Sequence, residues 1–246
     1  MPHSRHPRCC CAVIPDEETT KVTEQDWSTV WLTLKLALLV TGILLLIATP
    51  LAWWLAQTRS RYKPLFNAAL SLPMVLPPTV LGFYLLLLLG PHGPAGKLLI
   101  ALDWQALPFS FNGIVLGAVL HSLPFAIQPI QNAFEAIGRW PLEVAATLRA
   151  SPVDRFFSVA LPLARPGLVT AAVMAFCHSI GEFGVVLMIG GSIPGETKVL
   201  SILLYEHVEN QEYQQAHWLA GGMVIFAMLA LMLIYWFGNS RRTHHA

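Results

Sequence analysis

Charge is scarce in this chain. Of its 246 residues only 12% are Asp, Glu, Lys or Arg, whereas 55% are hydrophobic, and the mean hydropathy is +0.57. Soluble domains carry about 25% charged residues. A water-soluble core cannot absorb this much apolar surface, because the remainder would cover the outside and aggregate. Cysteine is scarce too. Three of the four cysteines adjoin one another as Cys9, Cys10 and Cys11, without the C-x₂₋₄-C spacing of a tetrahedral site. Even with His3 and His6 nearby they are assigned no metal, and Cys177 reads as a packing residue. A phosphate-binding loop is also missing. Gly96-Lys97 imitates the end of one, but Pro91 and Leu98 occupy the first Gly position and the Ser or Thr position. The chain is therefore expected to hold no cofactor and to hydrolyse no ATP itself. A net charge of +1 gives no sign of a nucleic-acid partner. No internal repeat is visible, which counts against carriers built from duplicated halves.

What the sequence has instead is long uncharged runs: Leu36 to Gln57, Pro64 to Gly96, Trp104 to Phe134, Pro166 to Gly181 and Gln214 to Ser240. Each approaches or exceeds the roughly 20 residues a helix needs to cross about 30 Å of hydrocarbon. The fourth continues past Glu182 to Gly195, so a single acid interrupts it. The runs lack the alternation of barrel strands, and lipid offers backbone groups no partners, so the expected fold is all-α and polytopic. Five spans are predicted near 31–56, 68–89, 113–134, 167–190 and 216–238. Pro50, Pro73, Pro77-Pro78, Pro124 and Pro129 fall inside spans and each can kink its helix. The stretch from Gly90 to Asn112, rich in Gly and Pro, is expected to be irregular.

Cations set the orientation. Arg59, Arg61, Lys63, Arg139, Arg149, Arg155, Arg165, Arg241 and Arg242 share one side. Arg5, Arg8, Lys21, Lys97 and Lys198 lie on the other, with Lys35 at the lip of the first span. The richer side is expected to be cytoplasmic, with the N-terminus outside and a cytoplasmic C-terminal tail at 241–246. Residues 1–26 read as a polar, unstructured tail or an over-extended reading frame, since no h-region follows their basic residues.

The predicted cytoplasmic loop, 139–165, holds two helix signals. Pro141 suits the first turn of a short helix running from Leu142 to Leu148, and Glu143 complements its dipole. Ser151, three residues before Asp154, is a capping signature for a second helix running through Phe156-Phe157 to Leu161 and stopping before Pro162. An interfacial hairpin without a partner is the bland alternative.

The segment Glu143-Val144-Ala145-Ala146-Thr147-Leu148-Arg149-Ala150-Ser151, followed by Phe156 and Leu161-Pro162-Leu163, resembles the EAA loop of bacterial ABC importer permeases. That resemblance implies a MetI-like fold and a coupling helix that docks into a cytoplasmic nucleotide-binding ATPase subunit, which holds the ATP and magnesium. It implies coupling roles for Glu143, Ala145, Ala146, Leu148, Arg149 and Ser151, and a Phe156-Phe157 anchor against the spans. The family usually has Gly where Arg149 stands. A left-handed turn there would disfavour a residue with Cβ by about 1 kcal/mol, so either the turn is built differently or Arg149 bridges to the partner subunit.

A second resemblance covers about 24–240. Ser179-Ile180-Gly181-Glu182-Phe183-Gly184, Ser192-Ile193-Pro194-Gly195-Glu196-Thr197-Lys198, the Leu72 to Gly82 run and Trp27 to Leu34 are similar to permeases of molybdate ABC importers. Sulfate permeases are the nearest rival, and tungstate is not distinguished from molybdate. The resemblance implies a bacterial inner-membrane homodimer with an external oxyanion-binding protein. Glu182 is ionisable inside a span, hence a functional candidate. It repels an oxyanion, so pairing with His178, four residues earlier, suits a gate, with part of the pathway wall or a packing role as alternatives. Neutral Thr79, Ser122 and Ser179 suit the lining of an anion pathway. Competing readings are a stand-alone carrier or channel with Glu182 as a proton site, and a membrane scaffold that transports nothing.

Overall fold

The computed structural model describes residues 24–102 and 107–239. The cysteine-bearing tail and the C-terminal cations Arg241 and Arg242 lie outside the described residues. Every regular element among the described residues is helical.

Helix α1 (Glu24–Gln57) begins inside the stretch expected as a tail. It buries a stripe of Leu36, Val40, Leu44, Ala48, Ala52 and Leu55, which is the four-residue recurrence that keeps side chains on one helical face. That stripe packs on α5 (Phe111–Ile137), the central helix, and both pack on α9 (Arg165–Gly181). Ser110 caps α5 by accepting the Gly113 N–H at 3.2 Å, and Gly138 (φ 69°) ends it. The last helix, α12 (Tyr213–Asn239), is less covered than α1 or α5; Trp218, Val224, Ile225, Met228, Leu229 and Met232 are exposed on it. An apolar surface of that kind is stable only against lipid or another protein.

Among the described residues three helices are long and apolar enough to cross a bilayer: Trp27–Gln57, Phe111–Ile137 and Tyr213–Leu233. The other two expected spans are not continuous. The span expected at 68–89 is two helices, α2 (Lys63–Val75) and α3 (Pro78–Leu89), bent by 104°. Pro77 and Pro78 offer no backbone donors, and Leu76 is extended (ψ 139°). A residue before proline is pushed out of the helical region, so consecutive prolines end the helix where the sequence had suggested only a kink. The span expected at 167–190 stops at Gly181. Glu182 is extended, and a separate helix, α10 (Gly184–Gly190), follows and packs on α3 and α5.

The segments expected on the outer side carry more structure than expected. The Gly90 to Asn112 stretch contains α4 (Pro94–Ala101), and α11 (Leu200–Glu209) precedes α12. Burial raises the Glu206 carboxyl, but hydrogen bonds from Lys198 and Ser192 outweigh it, aided by the Lys198 and His207 charges, and hold it below the ordinary carboxylate range.

Candidate functional site

Between α5 and α9 the chain leaves the helical bundle. Helix α6 (Trp140–Thr147) starts on Pro141 and buries only Leu142. It ends in a Schellman motif: the Ala150 N–H donates to the Ala145 carbonyl at 3.1 Å and the Arg149 N–H to Ala146 at 3.0 Å. Arg149 holds the left-handed position of that motif, at φ 63°. The turn is therefore the one a glycine would make, built with an arginine, and the expectation of a different turn does not hold. Ser151 then forms a reciprocal capping box. It accepts the Asp154 N–H at 3.1 Å, while its own N–H donates to the Asp154 carboxylate at 3.2 Å. The Ser151 hydroxyl, and then its backbone N–H, hold the Asp154 carboxyl below its ordinary range.

The second helical piece does not stop before Pro162. It runs as α7 (Pro152–Asp154), a π-helical turn (Arg155–Ala160) and α8 (Leu161–Leu163), and then meets α9 at 68°. Of the two phenylalanines, Phe156 is the anchor, with Ala160 buried one turn on. Its ring lies 5.4 Å from Trp53 and 6.2 Å from Phe134, and Trp53 and Phe134 are 5.0 Å apart. Phe157, expected to share this role, is 60% exposed.

Of the predicted coupling residues, Glu143, Ala146, Leu148, Arg149 and Ser151 are exposed and Ala145 is half-buried. Sequence reasoning missed Trp140 and Val144. With Leu148 they form an i, i+4, i+8 stripe exposed by 75%, 41% and 78%. Starting the helix at Leu142 left Trp140 out, although proline is favoured at the first helical position and places Trp140 at its threshold. A short helix that turns Leu142 into the bundle and an apolar stripe outward presents a surface that lipid or another protein would cover.

The second cluster sits within the bundle, at the end of α9. Glu182 uses its carboxylate twice: Oε1 accepts the Val185 N–H at 3.0 Å, capping α10, and Oε2 faces two histidines. Its backbone carbonyl accepts the Ser201 hydroxyl at 2.6 Å, so the break between α9 and α10 is fixed at both carbonyl and carboxylate. The predicted neighbour His178 lies 3.7 Å away and is a quarter exposed. A closer one was not predicted: His121 Nε2 of α5, at 3.2 Å and buried. Counting histidine as uncharged hid His121 within an apolar run, yet an ionisable ring mid-span was the available signal.

Three further residues had been assigned to the pathway. Ser179 is buried and donates to the Ala175 carbonyl at 2.8 Å. Ser122 is buried, with no hydrogen-bond partner for its hydroxyl. Thr79 is exposed, at the start of α3. The Pro78–Thr79 turn nevertheless touches the second cluster, because a Cβ on Gly184 would lie 2.7 Å from Pro78 Cβ and 3.4 Å from the Thr79 nitrogen. The two interrupted helices thus meet at their breaks.

Residues 48–240 match the family described as binding-protein-dependent transport system inner membrane component. The molybdenum transport system permease protein ModB of Azotobacter vinelandii is 58% identical over 221 residues, which is 90% of this chain and 96% of that protein. Its namesake in Escherichia coli strain K12 is 33% identical over 224 residues, covering 90% of this chain and 97% of the relative. Among solved structures, a bacterial alginate ABC transporter in complex with an alginate-bound periplasmic protein superposes with a TM-score of 0.67 at 18% identity, over 92% of this chain and 81% of that one.

Proposed function

The chain belongs to the family of binding-protein-dependent transport system inner membrane components, and from that premise we propose that it is the membrane-spanning permease subunit of an ATP-driven molybdate importer. The likeness to molybdenum permeases over 90% of the chain supports the substrate. The observation that carries the mechanism is α6, which anchors Leu142 in the bundle and leaves its Trp140-Val144-Leu148 stripe exposed. The partner that covers it is a cytoplasmic ATPase subunit, which holds the ATP and magnesium. Glu143, Ala145, Ala146, Leu148, Arg149 and Ser151 flank or extend the dock. An external oxyanion-binding protein delivers the substrate, and a second copy of this chain completes the pathway. The α6 side faces the cytoplasm of a bacterial inner membrane, with the N-terminus outside.

Force applied at α6 has a rigid route. Phe156 ties the α6–α8 segment to Trp53 of α1 and Phe134 of α5, and α8 leads directly into α9. At the far end of α9 stands Glu182, with His121 and His178 against it. Rotating α9 therefore moves the gate. In the conformation described here Ser122 and Ser179 are sealed between helices, so they line a path only when α5 and α9 part. Their hydroxyls, with that of Thr79, offer neutral donors to a passing oxyanion without trapping it, whereas the Glu182 carboxylate repels it and suits a gate post.

The test is ATP-dependent uptake of radiolabelled molybdate into proteoliposomes that hold this chain, its ATPase and the binding protein. Glu143→Arg places a cation on the docking face of α6 and is expected to abolish uptake while leaving the protein inserted. Undiminished uptake refutes the coupling assignment. Uptake that persists without ATP points to a stand-alone carrier, and competition by excess sulfate as strong as by molybdate overturns the substrate.

A further inference from the structure

The cluster at the α9 break has a property that gating does not use. His121 Nε2 and Glu182 Oε2 are 3.2 Å apart, His178 Nε2 and Glu182 Oε2 are 3.7 Å apart, and one ligand atom from each residue lies within 4.8 Å of the others. The side chains of His121 and Glu182 are 6% and 3% exposed. Two buried nitrogens here, His121 Nδ1 and His178 Nε2, have no hydrogen-bond partner. Among the described residues no Lys or Arg pairs with the carboxylate: Lys63 pairs with Glu135, Lys198 with Glu206, and Lys35 lies over the Phe111 ring. Two imidazoles and a carboxylate thus converge in the bundle with two ring nitrogens lacking hydrogen-bond partners and only histidine facing the acid, a costly arrangement in a low-dielectric interior.

We propose that His121, His178 and Glu182 form a binding site for a divalent transition-metal cation of the zinc class, one that ties α5 to the break between α9 and α10. Zinc held at about 2.0–2.1 Å by nitrogen and oxygen sets neighbouring ligand atoms about 3.3 Å apart in a tetrahedron, and the two measured edges of 3.2 and 3.7 Å bracket that length. Imidazole nitrogens select against magnesium and calcium. Three protein ligands with an open fourth position is the pattern of an accessible zinc site, and the exposed quarter of His178 is the side from which an ion arrives. Glu182 is already oriented, because its second oxygen is held by the Val185 N–H, the outer-shell support that ligating carboxylates need. His178 is held as well, stacked on Phe125 at 4.0 Å. His121 Nδ1 lacks an acceptor, which weakens such centres by about 10–100-fold and makes the site exchangeable.

Metal binding is measured independently of transport. The full chain, with Cys9, Cys10 and Cys11 changed to Ser to silence the tail thiols, is reconstituted in lipid nanodiscs, stripped with chelator and titrated with Co²⁺. A bound ion gives the intense visible absorption of tetrahedral Co²⁺, and added Zn²⁺ displaces it. One zinc per chain is expected by elemental analysis after gel filtration. Binding weakened by about tenfold or more is expected in both His121→Asn and His178→Gln. The second variant alters a partly exposed side chain, so the test stands even if the first fails to fold. Absence of a tetrahedral spectrum, or titrations unchanged in His178→Gln, overturns the assignment whether or not the chain carries molybdate.

Discussion

The crossing of α5 and α9 sets a measurable limit on what Gly167 can become. A Cβ built there would sit 2.3 Å from Ala133 Cβ and 2.9 Å from the Pro129 carbonyl oxygen. Neither neighbour can yield, since alanine has no rotamer and the other is backbone. Reaching an ordinary 3.4 Å contact means separating the helices by about 1 Å, and overpacking of this kind costs about 1–3 kcal/mol. Alanine also favours a helix over glycine by about 1 kcal/mol, which would mask part of the effect. Gly42→Ala in α1 isolates it, because a Cβ there meets nothing within 4 Å and the helix gain is the same. The two variants should therefore differ by the overpacking alone, about 1–3 kcal/mol, or about 2–4 °C in Tm per kcal/mol for a chain of this size. Thermal unfolding in detergent reads that difference. If Gly167→Ala melts as high as Gly42→Ala, the close approach of α5 and α9, and the lever built on it, is refuted.

The remaining predictions concern single residues. Arg149→Gly relieves a left-handed residue, worth about 1–2 kcal/mol, against about 0.5–1 kcal/mol of added chain entropy. Slower hydrogen exchange across the α6–α7 turn is expected, and faster exchange refutes the strain. The depressed Glu206 carboxyl contributes stability above its unfolded pKa that is lost as pH falls through the lower folded value. Glu206→Gln should thus flatten the decline of Tm on the acid side of about pH 5; an unchanged slope refutes the Lys198 and Ser192 contacts as its source.

Apolar run length located α5 and α12 within three residues at each end, and the C-terminal end of α1, whose start at Glu24 lies seven residues before the expected one because its first turns are polar. It misled where backbone bonding decides. Hydropathy joined 68–89 into one crossing although Pro77 and Pro78 cannot donate. It joined 167–190 although the break is held by two hydrogen bonds: the Val185 N–H donates to the Glu182 carboxylate, and the hydroxyl of Ser201, outside the run, donates to the Glu182 carbonyl. Arg149 was legible through its resemblance to a glycine position, and the Schellman turn explains why glycine is favoured there. His178 and Glu182 were legible because they are four residues apart on one helix. His121 was not, since its approach depends on how α5 crosses α9, which periodicity does not encode.

The tips of α2 and α3, facing Gly184, carry a consequence. A helix interrupted by two prolines ends with carbonyls that no following turn can satisfy, and hydrocarbon never does. Thr79, beside this seam, is exposed. Those carbonyls call for donors from water, from side chains or from a neighbouring chain. The seam between Leu76 and Gly184 is thus a place where this otherwise apolar bundle demands polar company.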